Sequence, residues 1–355
     1  MEKVKQQVLV APLNWGLGHA ARCIPLIRRL IQRGLAPILA SDGMALQLLT
    51  KEFPQLKTYP LPGYDIVYPN ANMVWNMAIQ LPKIMQAIRR ERQVIAQIVK
   101  TEQIDLIFSD NRYGCRHANC VNIFITHQLN IRVPFFPLAF LVARGNHWWI
   151  RQFDHCWVPD NLATPHLAGE LAHGTHLPNA RYIGILSRMR SWETKQQYDL
   201  VIVLSGPEPQ RSYLESILLE QAESCTQRIL FIRGLTDREE YQKIGQHLEV
   251  RSYLTTEALN RVLCTTDVVL CRSGYSSLMD LVKLEKKAIL IPTPGQTEQE
   301  YLAQRFAHQQ ICCVQQQDQI NLSEALRTVK TTKGFAAFQQ QDDLLDQALD
   351  ELLRT

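Results

Sequence analysis

The sequence alternates short apolar segments with amphipathic segments, and this pattern constrains the fold more than any other feature. Five apolar runs in the first half end at turn or polar residues, as buried strands of a parallel sheet do. These runs are Val8–Pro12, Pro37–Ser41, Ile104–Ser109, Val121–Thr126 and His155–Pro159. Helical stretches lie between them at His19–Gln32, Met44–Lys51 and Met73–Lys100, where Pro82 predicts a kink. The first half therefore predicts a parallel sheet covered by helices.

The second half repeats the alternation. Its predicted strands are Leu200–Ser205, Ile229–Arg233, Val268–Cys271, Ala288–Pro292 and Ile311–Val314. Its predicted helices are Arg211–Ala222, Thr256–Leu263, Ser276–Leu284, Glu298–Ala307 and Ser323–Val329. One sheet with all these strands is less favourable than two domains, and periodicity is lost at Gly184–Tyr198. We therefore expect domains at 1–185 and 186–334. The sequence leaves open whether a last helix, Phe335–Leu353 within 335–355, packs on the first domain.

Composition excludes several classes of protein. The chain has 355 residues, of which 46% are hydrophobic and 20% charged, so it is neither disordered nor fibrous. Its longest apolar run, Val133–Ala143, falls short of the roughly 20 residues that a membrane span needs. The apolar run near the N-terminus is too short for a signal peptide, which predicts a cytoplasmic protein. Nine cysteines without a C-x-x-C pair predict neither disulfides nor a zinc ribbon.

Charge is distributed unevenly between the halves. Residues 1–185 carry 19 Lys and Arg against 11 Asp and Glu, a net charge of +8, whereas residues 186–355 have a net charge of −4. A basic first half is typical of a protein with an anionic partner such as phosphate, nucleic acid or a membrane surface. Ordinary variation of surface charge accounts for the difference equally well.

The first strand-to-helix loop permits two interpretations. Gly16 and Gly18 satisfy G-x-G-x-x-A, and Asp42 ends the second strand, so the pattern is similar to a dinucleotide-binding fingerprint. However, the turn is loose, and His19 lies where a pyrophosphate needs small residues. The alternative is a catalytic loop in which the helix N-terminus keeps His19 neutral and able to act as a general base.

Two further polar residues end strands of the same predicted sheet. Asp110 and His127 follow neighbouring strands, and the carboxyl ends of parallel strands meet at one edge. Asp110 would orient His19 as a carboxylate–imidazole pair. The structural alternatives are a histidine that packs under the loop and an aspartate that caps a helix.

Three loops of the second half are suited to bind phosphate or hydroxyl groups. Cys271–Ser277 and Pro292–Glu300 each follow a strand and open a helix, and Ser205-Gly206 with Arg211 follows the first strand of this half. Backbone N–H groups at helix N-termini are natural phosphate ligands. Each loop alone is compatible with simple helix capping, but all three together predict a nucleotide with its sugar.

With these motifs in place, the sequence resembles the GT-B glycosyltransferases, and among them the MurG-type group of glycosyltransferase family 28. The resemblance is carried by Gly16-Leu17-Gly18-His19 with Arg22 and Pro25, by Thr126–Asn130, by Arg272–Asp280 and by Gly295–Glu300. It implies an α/β fold of two Rossmann-like parallel-sheet domains that face a central cleft. The first domain takes the acceptor, and the second binds the nucleotide sugar.

The strand-end residues and the resemblance together give expected roles for individual residues. His19 and Asp110 are expected to be catalytic, with Gly16, Gly18, His127, Gln128 and Asn130 on the acceptor side. Asp280 is expected to hold the ribose. The full set of expected donor-binding residues is Ser205, Gly206, Arg211, Arg272, Ser273, Gly274, Ser276, Asp280, Gln296, Glu298 and Gln299.

The implied reaction is an inverting transfer by single displacement from a nucleotide-diphosphate donor. The resemblance implies UDP with N-acetylglucosamine or a related hexose, and a cell-envelope glycan or lipid-linked acceptor. Gln128 and Glu300 depart from the residues of the peptidoglycan enzymes, which leaves the sugar and the acceptor open. The chain has no D-x-D sequence, so neither an essential metal nor another cofactor is expected. No nucleic acid is expected as a partner.

Two other functions remain compatible with the same architecture: a nucleotide-sugar epimerase, and a non-catalytic module that binds a nucleotide sugar. A separate signal lies in Ile131–Trp149, which combines aromatic residues with Arg132, Arg144 and then Arg151. Aromatic side chains flanked by arginine are typical of an interfacial membrane patch. Segment 131–151 therefore predicts peripheral contact with the inner face of the cytoplasmic membrane, with a buried helix as the alternative.

Overall fold

The computed structural model of the protein divides into two compact units. One unit comprises Met1–Ser187 with Gln340–Thr355, and the other comprises Arg188–Gln339. The residues that the structure describes are 6–64, 73–132, 136–235, 239–338, 341 and 343–354.

The first unit is built on a sheet of seven parallel strands in the order β3-β2-β1-β4-β5-β6-β7. The strands are β1 Gln7–Pro12, β2 Ala36–Ser41, β3 Thr58–Pro60, β4 Ile104–Asp110, β5 Val121–Ile125, β6 His155–Val158 and β7 Ala180–Tyr182. Its first four helices are α1 Gly18–Gln32, α2 Gly43–Glu52, α3 Met73–Glu102 and α4 Phe136–Ile150. The strand order reverses at β1, and in open α/β sheets such a reversal marks the ligand-binding edge.

The second unit contains a sheet in the order β10-β11-β9-β8-β12-β13-β14, in which β10 runs antiparallel to β11 and the other pairs are parallel. The strands are β8 Leu200–Val203, β9 Ile229–Ile232, β10 Tyr241–Ile244, β11 Leu248–Arg251, β12 Val268–Cys271, β13 Lys287–Leu290 and β14 Cys313–Val314. The helices are α5 Gln210–Glu223, α6 Thr256–Cys264, α7 Tyr275–Lys283, α8 Thr297–His308 and α9 Leu322–Thr328. Here the order reverses at β8.

Central strands and helix faces supply the core of each unit. Residues Val8–Ala11 of β1 are fully buried, as expected of a strand that helices cover on both faces. In α1 the buried residues include Ala20, Ile24 and Ile27, which recur at helical spacing. The predicted α/β fold is thus confirmed, and every predicted strand is present within two residues of its expected bounds.

The predicted last helix, Phe335–Leu353, is wrong in its extent. Residues Phe335–Ala337 form a single 3₁₀ turn, Phe338 is extended, and helix α10 spans only Leu344–Leu352. The reason is packing, because the rings of Phe335 and Phe338 contact Phe306 of the second unit with centroids 5.5 and 5.9 Å away.

Helix α10 belongs to the first unit. Its buried face includes Leu345 and Leu349, and its acidic side meets α1, where Arg33 donates to Asp346 at 2.8 Å and to Asp350 at 3.0 Å. Within the described part of the chain, no helix is both long and apolar enough to cross a membrane.

Candidate active site and donor site

The loop between β1 and α1 brings His19 to the carboxyl edge of the first sheet. Gly16 has a φ of +70°, a conformation that L side chains rarely adopt, so the turn favours glycine at this position. Helix α1 begins at Gly18, which places His19 in its first turn. The positive end of the helix dipole therefore lies beside the imidazole.

His19, Arg22 and Asp110 form one polar cluster. Asp110 ends β4 and is fully buried. The Nδ1 atom of His19 lies 2.7 Å from Oδ1 of Asp110, and Nε of Arg22 donates to Oδ2 of Asp110 at 2.5 Å. Nη2 of Arg22 pairs with Oδ1 of the same carboxylate. The structure thus brings together the two proposed catalytic residues and adds an arginine to them.

The surroundings favour a neutral imidazole and an ionised carboxylate. Burial lowers the pKa of His19, and Arg22 lowers it further, while Asp110 opposes part of the shift. Burial tends to raise the pKa of Asp110, but Arg22 and His19 outweigh burial and hold that pKa well below its usual range. An ionised carboxylate only accepts hydrogen bonds, so Nδ1 of His19 carries the proton and Nε2 the lone pair. His19 is therefore set to accept a proton near neutral pH.

His127 and Gln128 follow β5 at the same edge. His127 is buried, and its Nδ1 lies 2.9 Å from Nη1 of Arg22. Gln128 is half-buried, and its backbone N–H donates to the Thr126 hydroxyl at 3.0 Å. Helix α4 holds this loop, because Nδ2 of Asn146 donates to the carbonyls of Gln128 and Leu129, both at 3.0 Å.

Asn130 is expected on the acceptor side, but the structure assigns its side chain another role. Its Nδ2 donates to the carbonyls of Glu170 and His173 at 2.8 and 3.3 Å, and its Oδ1 accepts from the Thr175 hydroxyl at 2.8 Å. Because these contacts engage both the amide nitrogen and the amide oxygen, Asn130 fixes the following loop. The predicted acceptor contact is therefore not supported by the geometry.

Asp42 has a structural environment that does not suit a ribose. Its Oδ1 accepts from Arg112 at 2.7 Å, and its Oδ2 accepts from Asn14 at 2.9 Å. Arg112 is itself fully buried and donates to Glu91 at 2.5 Å. Since both oxygens already have donors, and His19 occupies the first helical turn, the dinucleotide interpretation of the loop is disfavoured.

In the second unit, Arg272 is a buried guanidinium that directly follows β12. It is 1% exposed and donates to the carbonyls of Gln210, Ile291 and Pro292 at 3.0 to 3.4 Å, and to the amide oxygen of Gln317 at 2.5 Å. None of its described contacts is a carboxylate, and its Nε has no hydrogen-bond partner among the described residues. Burial lowers the pKa of Arg272 to about 10, so the cation is poorly compensated.

Gly206 and Thr293 lie beside this Nε. A Cβ added to Gly206 would lie 3.9 Å from Nε of Arg272 and 3.7 Å from Oγ1 of Thr293. Thr293 is buried, and its Oγ1 likewise has no partner in the described part of the chain. The loops that follow the adjacent strands β8, β12 and β13 thus bring a glycine, a cation and a hydroxyl to one point. Such a group of donors suits an anionic oxygen.

The predicted phosphate contact of Arg211 is not supported. Its Nε donates to Glu208 at 2.7 Å, its Nη1 pairs with Glu215, and its Nη2 donates to the Ser212 hydroxyl at 2.7 Å. The acidic residues of its own segment therefore neutralise this guanidinium. Glu208 and Glu215 lie three positions before and four positions after Arg211, so the sequence already contains the signal that distinguishes Arg211 from Arg272.

The remaining loop residues after β8 and β12 differ in exposure. Ser205 is exposed beside Gly206, whereas Ser273 is buried and its hydroxyl donates to the carbonyl of Gln299 at 2.9 Å. Gly274 is the N-cap residue of α7, and Ser276 lies in the first turn of that helix. The backbone N–H groups that open α7 therefore begin three positions after Arg272, close in sequence to the donors that suit an anionic oxygen.

Asp280 lies further along α7, with its Oδ2 4.0 Å from Nε of Arg188. Gln296 is the N-cap residue of α8, and Glu298 lies half-buried in the first turn of that helix. Gln299 braces the loop, because its Oε1 accepts from the backbone of Thr293 at 2.9 Å and its Nε2 donates to Gln296 at 2.5 Å. The expected sugar-binding segment is thus linked by the hydrogen bond of Gln299 to Thr293, one of the three residues that surround Nε of Arg272.

The aromatic segment 131–151 falls largely in α4. Phe140, Leu141 and Trp148 are 65%, 64% and 57% exposed, whereas Trp149 faces inward against Tyr113. Residues 133–135 lie outside the described part of the chain, and so does the side chain of Phe136. Helix α4 thus has one packed face and one exposed apolar face, and membrane contact of this segment stays a prediction.

Two residues at these sites were not assigned a role from sequence. Arg22 follows His19 by three positions on a helix, a spacing that places both on one face, and this is a usable signal. Thr293 lies three residues after the end of β13, and nothing local distinguishes it from a capping threonine. Its importance comes from Gly206 and Arg272, which are distant in sequence.

Comparisons with known proteins agree with this geometry. Residues 200–348 match the model of the glycosyltransferase family 28 C-terminal domain. No curated protein sequence matches the chain significantly. Solved structures with the same fold include the glycotransferase of kitacinnamycin, with a TM-score of 0.70 at 12% identity, covering 99% of each chain.

Two further structures are similar over the whole chain. MurG of Acinetobacter baumannii has a TM-score of 0.58 at 12% identity and covers 99% of this chain and 100% of its own. The spinosyn rhamnosyltransferase SpnG, complexed with thymidine diphosphate, has a TM-score of 0.65 at 14% identity over the same shares. These likenesses confirm the GT-B fold and support the resemblance to the MurG-type group. The chain thus has the GT-B fold, and its residues 200–348 match the C-terminal domain of glycosyltransferase family 28.

Proposed function

We propose that the protein transfers a sugar from a nucleotide diphosphate to a hydroxyl of a cell-envelope glycan or lipid-linked acceptor. The observation that carries this proposal is the buried cation of Arg272 beside the hydroxyl of Thr293 and Gly206. A buried charge without a counterion is costly unless a ligand supplies one. The diphosphate of a sugar nucleotide is such a ligand.

The donor residues divide by their position around this point. Ser205, Gly206, Arg272, Ser273, Gly274 and Ser276 surround the diphosphate. Asp280 receives the ribose hydroxyls, since a carboxylate accepts hydrogen bonds from both. Gln296, Glu298 and Gln299 contact the sugar. The donor is uridine diphosphate with N-acetylglucosamine or a related hexose, and thymidine diphosphate is the second nucleotide to test because SpnG is complexed with it.

The transfer is a single displacement with inversion. Nε2 of His19 takes the proton of the acceptor hydroxyl as its oxygen forms a bond to the anomeric carbon. The bond from that carbon to the diphosphate oxygen breaks, and the electron pair leaves with the diphosphate. Arg272 and the N–H groups at the start of α7 stabilise the negative charge that develops there. Asp110 stabilises the imidazolium that His19 becomes.

Nucleotide binding tests the donor site. The change Gly206→Ala places a methyl group between Arg272 and Thr293, and it should weaken UDP or TDP binding about tenfold or more in isothermal titration. Gly174→Ala is the matched control, since Gly174 also has a positive φ but lies in the first unit with open space around it. Equal affinities of the two variants, or no binding by the wild type, would refute the proposed donor site.

Turnover assays separate the remaining functions. Sugar epimerised in the absence of any acceptor would identify an epimerase, and tight binding without turnover in an acceptor screen would identify a binding module. A transferase instead consumes donor in proportion to the glycosylated acceptor it forms. The expected product has inverted anomeric configuration, which proton NMR of the new glycosidic bond reports.

We also propose that the exposed apolar face of α4 contacts a membrane surface from the cytoplasmic side. Phe140, Leu141 and Trp148 lie on one face of the helix, with Arg144 exposed among them. Aromatic and basic side chains on one helix face bind the boundary between head groups and acyl chains of anionic membranes. A lipid-linked acceptor lies at that boundary.

A further inference from the structure

Arg22 is one of the most deeply buried side chains in the described part of the chain, and its guanidinium contacts three functional groups. It donates to both oxygens of Asp110, its Nη1 lies 2.9 Å from Nδ1 of His127, and its Nη2 lies 2.9 Å from Nδ1 of His19. A single arginine therefore connects the ends of β4 and β5 with the start of α1.

The chemistry of arginine fixes where protons lie in this cluster. A guanidinium only donates, so Nδ1 of His127 must accept from Nη1, and a neutral His127 carries its proton on Nε2. His19 has the opposite arrangement. Its Nδ1 and Nη2 of Arg22 both approach Oδ1 of Asp110, so both donate to the carboxylate, and Nε2 of His19 keeps the lone pair.

We propose that Arg22 is a positioning residue that sets opposite tautomers in two histidines of the active site. His19 is thereby able to accept a proton at Nε2, and His127 is able to donate one there. This proposal rests on the proposed function, because it gives these tautomers a use in proton transfer from an acceptor hydroxyl. Arg22 acts through its neighbours rather than through the substrate.

The charge of Arg22 has a second consequence. The charged or titratable groups near His19 are Arg22, Asp110 and His127, and the thiol of Cys23 lies 3.6 Å from Oδ2 of Asp110. Among them, Arg22 disfavours the imidazolium and Asp110 favours it. Burial is the largest cause that lowers the pKa of His19, and Arg22 is the next. Removal of the arginine eliminates the second of these effects, so His19 should hold a proton at higher pH than in the wild type.

Nuclear magnetic resonance tests the tautomers without any assay of activity. In the ¹⁵N-labelled full-length protein, long-range proton–nitrogen spectra should show His19 protonated at Nδ1 and His127 protonated at Nε2 above pH 7. The variant Arg22→Met should lose the fixed tautomer of His127 and raise the midpoint of the His19 titration by about one pH unit or more. The same tautomers and the same midpoint in wild type and variant would overturn the proposal.

Two further variants keep the test interpretable. Arg22→Lys retains the charge but not the planar fork, so it should preserve the titration midpoint of His19 and lose the tautomer of His127. Arg29→Met removes the same charge from a partly exposed position of α1, where the guanidinium pairs with Asp346, and should change neither. A merely structural role for Arg22 predicts that Met and Lys variants differ only in stability.

Kinetics then separate this proposal from the proposed function. If the wild type transfers sugar, Arg22→Met should lower kcat roughly 10- to 100-fold, shift the acid limb of its pH profile upward and leave the Kd for UDP unchanged. An active variant with the wild-type profile would refute the role of Arg22 and leave the transferase intact. A wild type that binds no nucleotide would refute the proposed function, while the tautomers remain measurable.

Discussion

At the scale of residues, the buried arginines show how a ligand site differs from a structural ion pair. Arg22, Arg112 and Arg272 are the three arginines that the structure buries most completely. Arg22 pairs with Asp110 and Arg112 pairs with Glu91, whereas no described carboxylate contacts Arg272. Two of these charges therefore stabilise the first unit, and the third has a desolvation cost that binding of an anion would offset.

This difference predicts opposite effects of one substitution on stability and on binding. Arg272→Met should leave the Tm of the unliganded protein unchanged or raise it, because a buried and poorly compensated cation is replaced by an apolar chain. The same variant should lose most of the Tm increase that UDP or TDP causes. Thermal unfolding with and without nucleotide measures both effects.

The control for this prediction is Arg112→Met, which removes a buried arginine that does have carboxylate partners. It should lower the Tm strongly, because Glu91 is left buried without its counterion, at a cost of about 3–5 kcal/mol. A large loss of stability in Arg272→Met, similar to that of the control, would contradict the assignment of Arg272 to a ligand.

His19 allows a prediction about rate and pH. His19→Ala should lower kcat by about 10²- to 10⁴-fold, the usual contribution of a general base, and leave the affinity for nucleotide unchanged because the proposed donor residues lie in the second unit. His155→Ala, at an exposed position at the start of β6, is the control. Steady-state kinetics and titration calorimetry provide the two measurements.

The sign of the pH dependence follows from the lowered pKa of His19. If His19 is the base, as proposed, the neutral imidazole is the active form, so activity should be complete above that pKa and be lost as pH falls through it. The acid limb of the wild-type profile should therefore lie below the ordinary histidine value of about 6.5. An acid limb above that value, or an unchanged profile in His19→Ala, would assign the proton to another group.

At the scale of elements, periodicity predicted the buried strands but not the short or edge strands. The missed strands are Thr58–Pro60, Ala180–Tyr182, Tyr241–Ile244 and Leu248–Arg251. Two of them have only three residues, and Tyr241–Ile244 is an exposed edge strand with almost no apolar burial. These three strands are stabilised by pairing with a neighbour, which leaves no pattern in their own sequence. Leu248–Arg251 differs from them, because it is an internal strand in which Leu248 and Val250 are buried in alternation, but the pattern covers only four residues.

The sequence also predicted some residues of the candidate site and missed others. It brought His19 and Asp110 to one sheet edge by topology alone, because parallel strands end together. It treated Arg211 and Arg272 alike although the carboxylates beside Arg211 are local, and it missed the structural contacts of Asn130 because that side chain's partner Glu170 lies 40 positions away in the chain. Local motifs locate a loop, and long-range contacts decide which of its side chains remain available.

Helix α4 has one packed face and one exposed apolar face. From the exposed face we predict that the protein binds membranes. Its packed face holds the loop after β5 through Asn146, and its other face exposes Phe140 and Trp148. The double variant Phe140→Ser with Trp148→Ser should weaken binding to phosphatidylglycerol vesicles about tenfold or more. Vesicle co-sedimentation measures this, with nucleotide affinity expected to stay unchanged.

The matched control is Leu162→Ser, since Leu162 is 65% exposed in the same unit but lies outside α4. It should bind vesicles like the wild type. Equal vesicle binding by the double variant and the control would show that the aromatic face of α4 does not contact lipid. Wild-type protein that ignores anionic vesicles would contradict the membrane proposal directly.

At the scale of the whole molecule, the chain completes its first unit only after it has built the second. Residues 340–355 return to the first unit, where α10 packs its apolar face and pairs Asp346 and Glu351 with Arg33 and Arg181. The first unit is therefore made of two segments separated by about 150 residues. Its stability depends on contacts that local sequence does not specify.

Because α10 belongs to the first unit, a substitution in its buried face should destabilise that unit. Leu349 is fully buried in α10, and Leu349→Ala should lower the free energy of unfolding of the first unit by about 2–5 kcal/mol. Leu353→Ala, at a half-buried position just beyond the helix, is the control and should cost much less.

Five of the six tryptophans belong to the first unit, so urea unfolding followed by tryptophan fluorescence reports mainly on the first unit. Because the donor residues lie in the second unit, nucleotide affinity in the absence of urea should be equal in both variants. A loss of nucleotide binding in Leu349→Ala that matches its loss of stability would show that the two units unfold as one.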